Sequence, residues 1–299
     1  MLTEALHWIK EAATLGMQIV GISGGEPFLL YKELVTLVSK ISSLGLKSDV
    51  FTSAYWAKTK ESAVRLLRGL KGLDCLNISV DIFHQEHVPL QNIRHALIAA
   101  KEVGIPNLSI GVCYTREEEK SLVGKLGDSL EGVRINYQPV WPVARAAHEE
   151  KICSFPSHRM SIAPCPMNAI AVLPEGDALA CCGPVVALQT RKQENPFFLG
   201  NLREHSLKEI LHKCSEDDLL RILRTWGPWK VALLAAREGL VPFKGFHKIN
   251  DDPCFLCYEL FSREEIRLLW QRRNNSTLTN PLNRGQDQLV PCLDSLEVF

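Results

Sequence analysis

Five apolar segments of strand length alternate with helical patterns through the first half of this chain. They are Gln18–Ser23, Lys47–Thr52, Cys75–Val80, Asn107–Cys113 and Val133–Gln138. The stretches between them carry apolar residues at helical spacing, as in Ala63-Val64, Leu66-Leu67 and Leu70, or Ile93, Ala96-Leu97 and Ala100. Gly45, Gly72 and Gly104 stand where helix exits are expected. Alternating strand–helix units build a parallel sheet, open or curled into a barrel, because parallel neighbours need a helical crossover. Chemistry in such folds gathers at the C-terminal ends of the strands.

The strand ends here are polar. After the first comes Gly24-Gly25-Glu26-Pro27, followed by an amphipathic stretch from Leu30 to Ile41. Two glycines let backbone N–H groups approach a ligand, Glu26 adds an acceptor, and Pro27 stiffens the entry to the helix. A carboxylate makes this turn a poor seat for phosphate and a better one for an ammonium group. The second strand ends at Thr52-Ser53-Ala54. The third runs through Ser79-Val80-Asp81 into Phe83-His84-Gln85-Glu86-His87. Ser79 and Asp81, two apart, share a face of an extended strand. The pair suits a ribose hydroxyl or an amine, and equally a polar rim in which Asp81 caps the next helix.

Ten cysteines in 299 residues are the compositional anomaly. The N-terminus has no basic start and no signal-peptide core, no apolar run is long enough to cross a bilayer, and the formal net charge is zero. These features predict a cytoplasmic protein with neither nucleic acid nor a membrane as partner. In that compartment cysteines serve as ligands or as small apolar residues more often than as disulfides. The second half is loop-rich after Pro139-Val140-Trp141-Pro142. It offers Cys165, a strand-like Ala169–Leu173, a turn at Pro174-Glu175-Gly176-Asp177, and a second strand leading to Cys181-Cys182-Gly183-Pro184. A hairpin there brings Cys165 and Cys181 to one end of two strands. Cys254-Phe255-Leu256-Cys257 is expected in a loop just before a helical Tyr258–Trp270. Four sulfurs suit a zinc ion or a [4Fe–4S] cluster. Cys182 is the alternative to Cys181, since adjacent strand residues face opposite sides. Cys75, Cys113, Cys214 and Cys292 read as isolated; Cys113 ends a strand and faces either the cavity or, as the preferred reading, the core.

With GGEP after an early strand, Thr-Ser-Ala at the next strand end and Ser79-x-Asp81 after a later one, the first half resembles a radical S-adenosylmethionine (radical SAM) enzyme. The second half resembles its accessory SPASM domain, through Cys165, Gly176-x4-Cys181, Gly200-Asn201 and Cys254-x2-Cys257. The phrase Gly200-Asn201-Leu202-Arg203-Glu204-His205-Ser206-Leu207-Lys208-Glu209-Ile210 belongs to the same likeness, which spans residues from about Leu2 to about Trp270. The resemblance implies a partial parallel (β/α)6-type barrel over residues 1–142, missing its first strand. It implies a small cysteine-rich SPASM-like domain over 143–270, with a β-hairpin and helices and a helical insert at Asp218–Gly239 interrupted at Gly227-Pro228. A flexible tail over 271–299 completes the expected organisation. By the same likeness Gly24, Gly25, Glu26 and Pro27 would bind the methionine amino group of S-adenosyl-L-methionine, Ser79 and Asp81 its ribose, and Cys165, Cys181, Cys254 and Cys257 an auxiliary [4Fe–4S] cluster. A full SPASM domain usually holds two clusters; these cysteines suffice for one.

The family carries CxxxCxxC on the first barrel strand, and the 299 residues contain no such motif. The expectation is an N-terminally shortened chain whose Gln18–Ser23 strand lacks an outer neighbour, a liability for an apolar edge. In full-length form the resemblance implies cleavage of S-adenosylmethionine to a 5′-deoxyadenosyl radical that modifies a substrate, at class level a peptide or protein. The chain as written is expected to release no 5′-deoxyadenosine. The alternative is a zinc- or cluster-stabilised, non-catalytic binding protein.

Overall fold

The computed structural model describes residues 2–141, 146, 163–165, 168–188, 190–240, 252–275 and 295–298. Residue 146 apart, the stretch from 142 to 162 lies outside the described residues, as do Cys292 and most of the expected tail. The chain divides into two compact units, with residues 2–140 and Ser295–Val298 in one, and Trp141 and 163–275 in the other.

The first unit is the expected α/β alternation. Its strands are β1 (Ile19–Ile22), β2 (Lys47–Thr52), β3 (Cys75–Ser79), β4 (Asn107–Tyr114) and β5 (Arg134–Pro139), and its helices are α1 (Leu2–Thr14), α2 (Tyr31–Ser43), α3 (Lys60–Gly69), the single turn α4 (Ile82–Gln85) and α5 (Leu90–Val103). The five strands pair in parallel in the order β5-β4-β3-β2-β1. Local chemistry sets the helix limits. Thr59 and Ser62 form a reciprocal cap at the start of α3, and Gly104 ends α5 at φ +83°.

The two faces of this sheet differ. One carries Val20, Ile22, Val50, Leu76, Ile78, Ile110 and Val112, which form a core with Leu34, Val38 and Ile41 of α2, Val64 and Leu67 of α3, and Ile93 and Leu97 of α5. The strand register puts Gly21, Asp49, Asn77, Ser109 and Gly111 on the other face, with Cys75, Ser79 and Cys113. A parallel sheet covered by helices on both faces reads as continuous apolar runs. This one is apolar on one side only. Across the polar side, Ser109 Oγ donates to Asn77 Oδ1 and Asn77 Nδ2 donates to Asp49 Oδ1.

The expectation of a bare edge at β1 is corrected. The strand β9 (Ser295–Val298) pairs with it in parallel, Ile19 opposite Ser295 and Ile22 opposite Val298. The backbone groups of β1 on that side therefore have partners. A proline at Leu296 would remove one ladder donor. Leu296→Pro is expected to lower the melting temperature by several degrees and to raise light scattering on heating, as an uncovered apolar edge pairs between molecules. An unchanged melting curve would mean that β9 contributes nothing to the sheet.

The second unit contains the predicted hairpin, β6 (Ala169–Val172) against β7 (Asp177–Leu179), and β8 (Phe198–Asn201) extends it to three antiparallel strands. Helices α6 (Leu207–Glu216), α7 (Asp218–Trp226) and α8 (Pro228–Arg237) follow, with the break at Gly227-Pro228. The expected Tyr258–Trp270 helix is two helices, α9 (Pro253–Phe261) and α10 (Glu264–Asn275). No helix among the described residues is long and apolar enough to cross a membrane.

Candidate functional site

At the end of β1, Gly24 takes φ +130°, and a side chain added at Gly25 would meet nothing within 4 Å. Glu26 is fixed on several sides. Its Oε1 accepts from the Phe28 amide at 3.2 Å and from Thr52 Oγ1 at 2.8 Å, and its Oε2 accepts from the Ser53 amide at 2.9 Å and Ser53 Oγ at 2.5 Å. The carboxylate thus caps the 3-10 turn Pro27–Leu30 and ties the end of β1 to the end of β2. Thr52 Oγ1 in turn accepts from the Ala54 amide and from Trp56 Nε1, and Trp56 stacks on Phe28 at 4.1 Å between centroids. Ala54, fully buried, holds φ +62°, the single positive φ of a non-glycine among the described residues. A left-handed alanine costs on the order of 1 kcal/mol and persists only where its surroundings impose it.

Two strands further on, Ser79 ends β3 half-buried. Asp81 is 3% exposed and caps α4, accepting from the His84 amide at 3.0 Å, while His84 Nδ1 lies 2.9 Å from both carboxylate oxygens. The hydrogen bond that the His84 ring gives to Asp81 raises the His84 pKa against the opposing effect of burial, and the charges of Asp81 and Glu26 add to the rise. Glu26 and His84 therefore feel one another across the strand ends. Cys113 belongs to this group too. Burial and the Asp81 charge push its thiol up to about 11. Of the two expectations for Cys113, the preferred core is corrected and the alternative is nearer: it is half-buried on the polar face. Cys75 is on that face as well, pushed up to about 12 by burial and by Asp49.

The second candidate is a pocket in the second unit lined by Cys165, Cys181, Cys254 and Cys257, with Val185, Phe197, Leu220 and Leu223 among its apolar walls. Local structure explains the arrangement. Gly176, at φ +89°, turns the hairpin, and Asn201 Nδ2 pins that turn by donating to Glu175 O at 2.9 Å and to Asp177 Oδ1 at 2.8 Å. Gly200 leaves room for α6, since a Cβ there would lie 2.8 Å from Ile210 Cδ1. Ser206 and Glu209 cap α6 reciprocally. The Gly200-Asn201 phrase is thus a brace for the hairpin that carries Cys181. Cys165 is held by its amide, which donates to Leu223 O at 2.8 Å.

The CxxC segment was expected in a loop and is instead the first turn of α9. Asp252 caps it, accepting from the Cys254 amide at 2.7 Å while its other oxygen accepts from Trp141 Nε1 at 2.7 Å, and Pro253 takes the first helical position. Helical spacing of three residues puts both thiols on one side of the turn. Cys182, the alternative to Cys181, is absent from the pocket lining.

Burial, Asp252 and the neighbouring Cys181 and Cys165 push Cys254 up to about 12. Burial and the other three cysteines raise Cys257 well above the ordinary thiol range. The mutual influence shows that the four sulfurs are electrostatic neighbours. Among the described residues no three Cys, His, Asp or Glu side chains already form a group with metal-ligand spacing, and the described cysteines form no disulfide. The donor chemistry nevertheless fits a four-thiolate centre: four adjacent thiols in an apolar pocket resist ionising together, and a cation that displaces their protons offsets that cost.

Gly227 links helix packing to this pocket. It lies at φ +82°, and a Cβ would come within 2.0 Å of Ala163 O, just before Cys165. Gly227→Ala is expected to cost several kcal/mol, combining backbone strain with a backbone clash. Chemical denaturation should show the loss, together with weaker metal retention as Cys165 is displaced. Wild-type stability in this variant would contradict the close approach.

Residues 164–228 match SPASM, an iron–sulfur cluster-binding domain. The match contains Cys165 and Cys181 and ends before the CxxC of α9. The chain is also similar to the "Putative peptide biosynthesis protein YydG" of Bacillus subtilis (strain 168), 24% identical over 257 residues, covering 83% of this chain and 78% of that protein.

Proposed function

We propose that this chain is a radical SAM/SPASM-type protein of a peptide-modifying kind, with an auxiliary [4Fe–4S] cluster on Cys165, Cys181, Cys254 and Cys257; the 299 residues carry no CxxxCxxC to hold the cluster that cleaves S-adenosylmethionine, so they are not expected to cleave it by themselves. The observation that carries the proposal is that these cysteines, drawn from a hairpin and from a helix start far apart in sequence, line one apolar pocket. The SPASM match supports iron over zinc. The name of the Bacillus relative, a peptide biosynthesis protein, supports a peptide as substrate class.

In this reading the first unit is a partial barrel whose polar face is its interior. Gly24 and Gly25 leave the strand end open, and Glu26, with Pro27 behind it, receives the amino group of S-adenosylmethionine. Ser79 and Asp81 serve the ribose end. Radical chemistry would need S-adenosylmethionine beside a reduced iron–sulfur cluster with an open iron, and no CxxxCxxC in the 299 residues would hold one. The chain's own contribution on this side is to hold the ligand's charged and hydroxyl groups. Cys75 and Cys113, both raised in pKa, stay protonated at neutral pH.

Anaerobic reconstitution with iron and sulfide tests the assignment. The expected product is brown and holds about four irons per chain, the content of one [4Fe–4S] cluster. One tightly held zinc with no iron uptake would overturn it in favour of a zinc-stabilised module.

A further inference from the structure

The Asp81 side chain is only 2% exposed, whereas that of His84 is 41% exposed. Both carboxylate oxygens already engage the His84 ring, and Oδ1 also takes the His84 amide. A ligand hydroxyl reaches Asp81 only if the ring moves aside. The ring itself is reachable and is held at Nδ1, which leaves Nε2 as its outward polar atom. The structure shows no hydrogen bond to Nε2 among the described residues.

We propose that His84, rather than Asp81, is the side chain that meets the ribose of a bound S-adenosylmethionine-type ligand, with Asp81 as the positioning residue that fixes the ring. The inference rests on the strand-end reading given above and refines it. A proton on Nδ1 shared with Asp81 fixes which nitrogen faces the ligand. As an imidazolium the ring gives a charge-assisted N–H to a ribose oxygen, stronger than the neutral bond. The titratable groups around it are Asp81 on its own turn, Glu26 from the loop after β1, and Cys113 from β4, whose thiol is pushed up by burial and the Asp81 charge and stays protonated. Both carboxylates favour the cation, so the His84 pKa lies above the ordinary histidine value. Binding should therefore be strongest below that raised pKa and weaken as pH rises through it.

Calorimetric titration of the full chain with S-adenosylhomocysteine, which keeps the ribose and needs no iron, is the test. His84→Ala and Asp81→Asn are each expected to weaken binding by about tenfold. The double variant should be no weaker than either alone, as for two groups acting in series. Asparagine retains a helix cap, so Asp81→Asn should melt like the parent. His84→Gln should flatten the pH dependence while keeping part of the affinity. Unchanged or tighter binding by His84→Ala, together with weaker binding by Asp81→Asn, would overturn the inference and return the contact to Asp81. Absence of binding by the parent chain at every pH would sink the strand-end assignment itself, and this inference with it.

Discussion

Cys254→Ala or Cys257→Ala should reduce iron in the anaerobically reconstituted protein from about four atoms per chain to nearly none, while Cys75→Ala and Cys182→Ala should leave it intact. The contrast follows from where the thiols lie. Cys254 and Cys257 occupy one turn of α9 and line the pocket with Cys165 and Cys181. Cys75 belongs to the parallel sheet, where its neighbours are Asp49 and Asn77. Cys182 adjoins Cys181 in sequence but stands outside the pocket lining. Because burial and the neighbouring cysteines raise the Cys254 and Cys257 thiols, cluster loading releases protons and should be favoured at higher pH. Iron and acid-labile sulfide determinations, with the visible absorption spectrum, provide the measurement. Full iron content in both α9 variants would show that the CxxC is not part of the centre.

Glu26→Ala should show the second large effect, one on binding and one on stability. The carboxylate accepts from two backbone amides and two hydroxyls. Removing it uncaps the Pro27–Leu30 turn and leaves Thr52 and Ser53 without an acceptor, at a cost of about 1–3 kcal/mol. Glu26→Gln keeps the size and one oxygen, so it should recover much of the stability. If Glu26 receives the ligand's ammonium group, the glutamine variant should still bind S-adenosylhomocysteine at least about tenfold more weakly than the parent, because a charge-assisted bond is lost. Thermal melting and calorimetry separate the two effects. A glutamine variant that melts and binds like the parent would confine Glu26 to a structural role.

Much of the first unit was legible in the sequence. A strand buried on one face by crossover helices must alternate or run apolar, and a helix must repeat near every third or fourth residue. Those periods located β1 to β5 within about one residue and marked α2, α3 and α5 as helical between them. Glycines at helix exits marked the same boundaries, because only glycine enters the left-handed region without cost. The second unit was legible through its turn residues: Pro174-Glu175-Gly176-Asp177 prescribes a hairpin, and Gly227-Pro228 prescribes a break between helices. The spacing of Cys165, Cys181 and the CxxC named the candidate ligands, although not that Asp252 and Pro253 would place the CxxC in a helical turn rather than a loop.

What the sequence determined by itself was local: which segments are strands or helices, where they end, and which residue types stand at those ends. Tertiary structure decided the pairings made over long sequence distances. It set β9 against β1, which no local signal specifies, because four residues of extended chain can add to any open edge. It brought the thiols of a hairpin and of α9 to one pocket. It also put Asp81 under His84 while tying Glu26 to Thr52 and Ser53. Periodicity can report that a residue sits at a strand end. Only the folded chain shows whether its oxygens are turned to a ligand or already held by a neighbouring side chain.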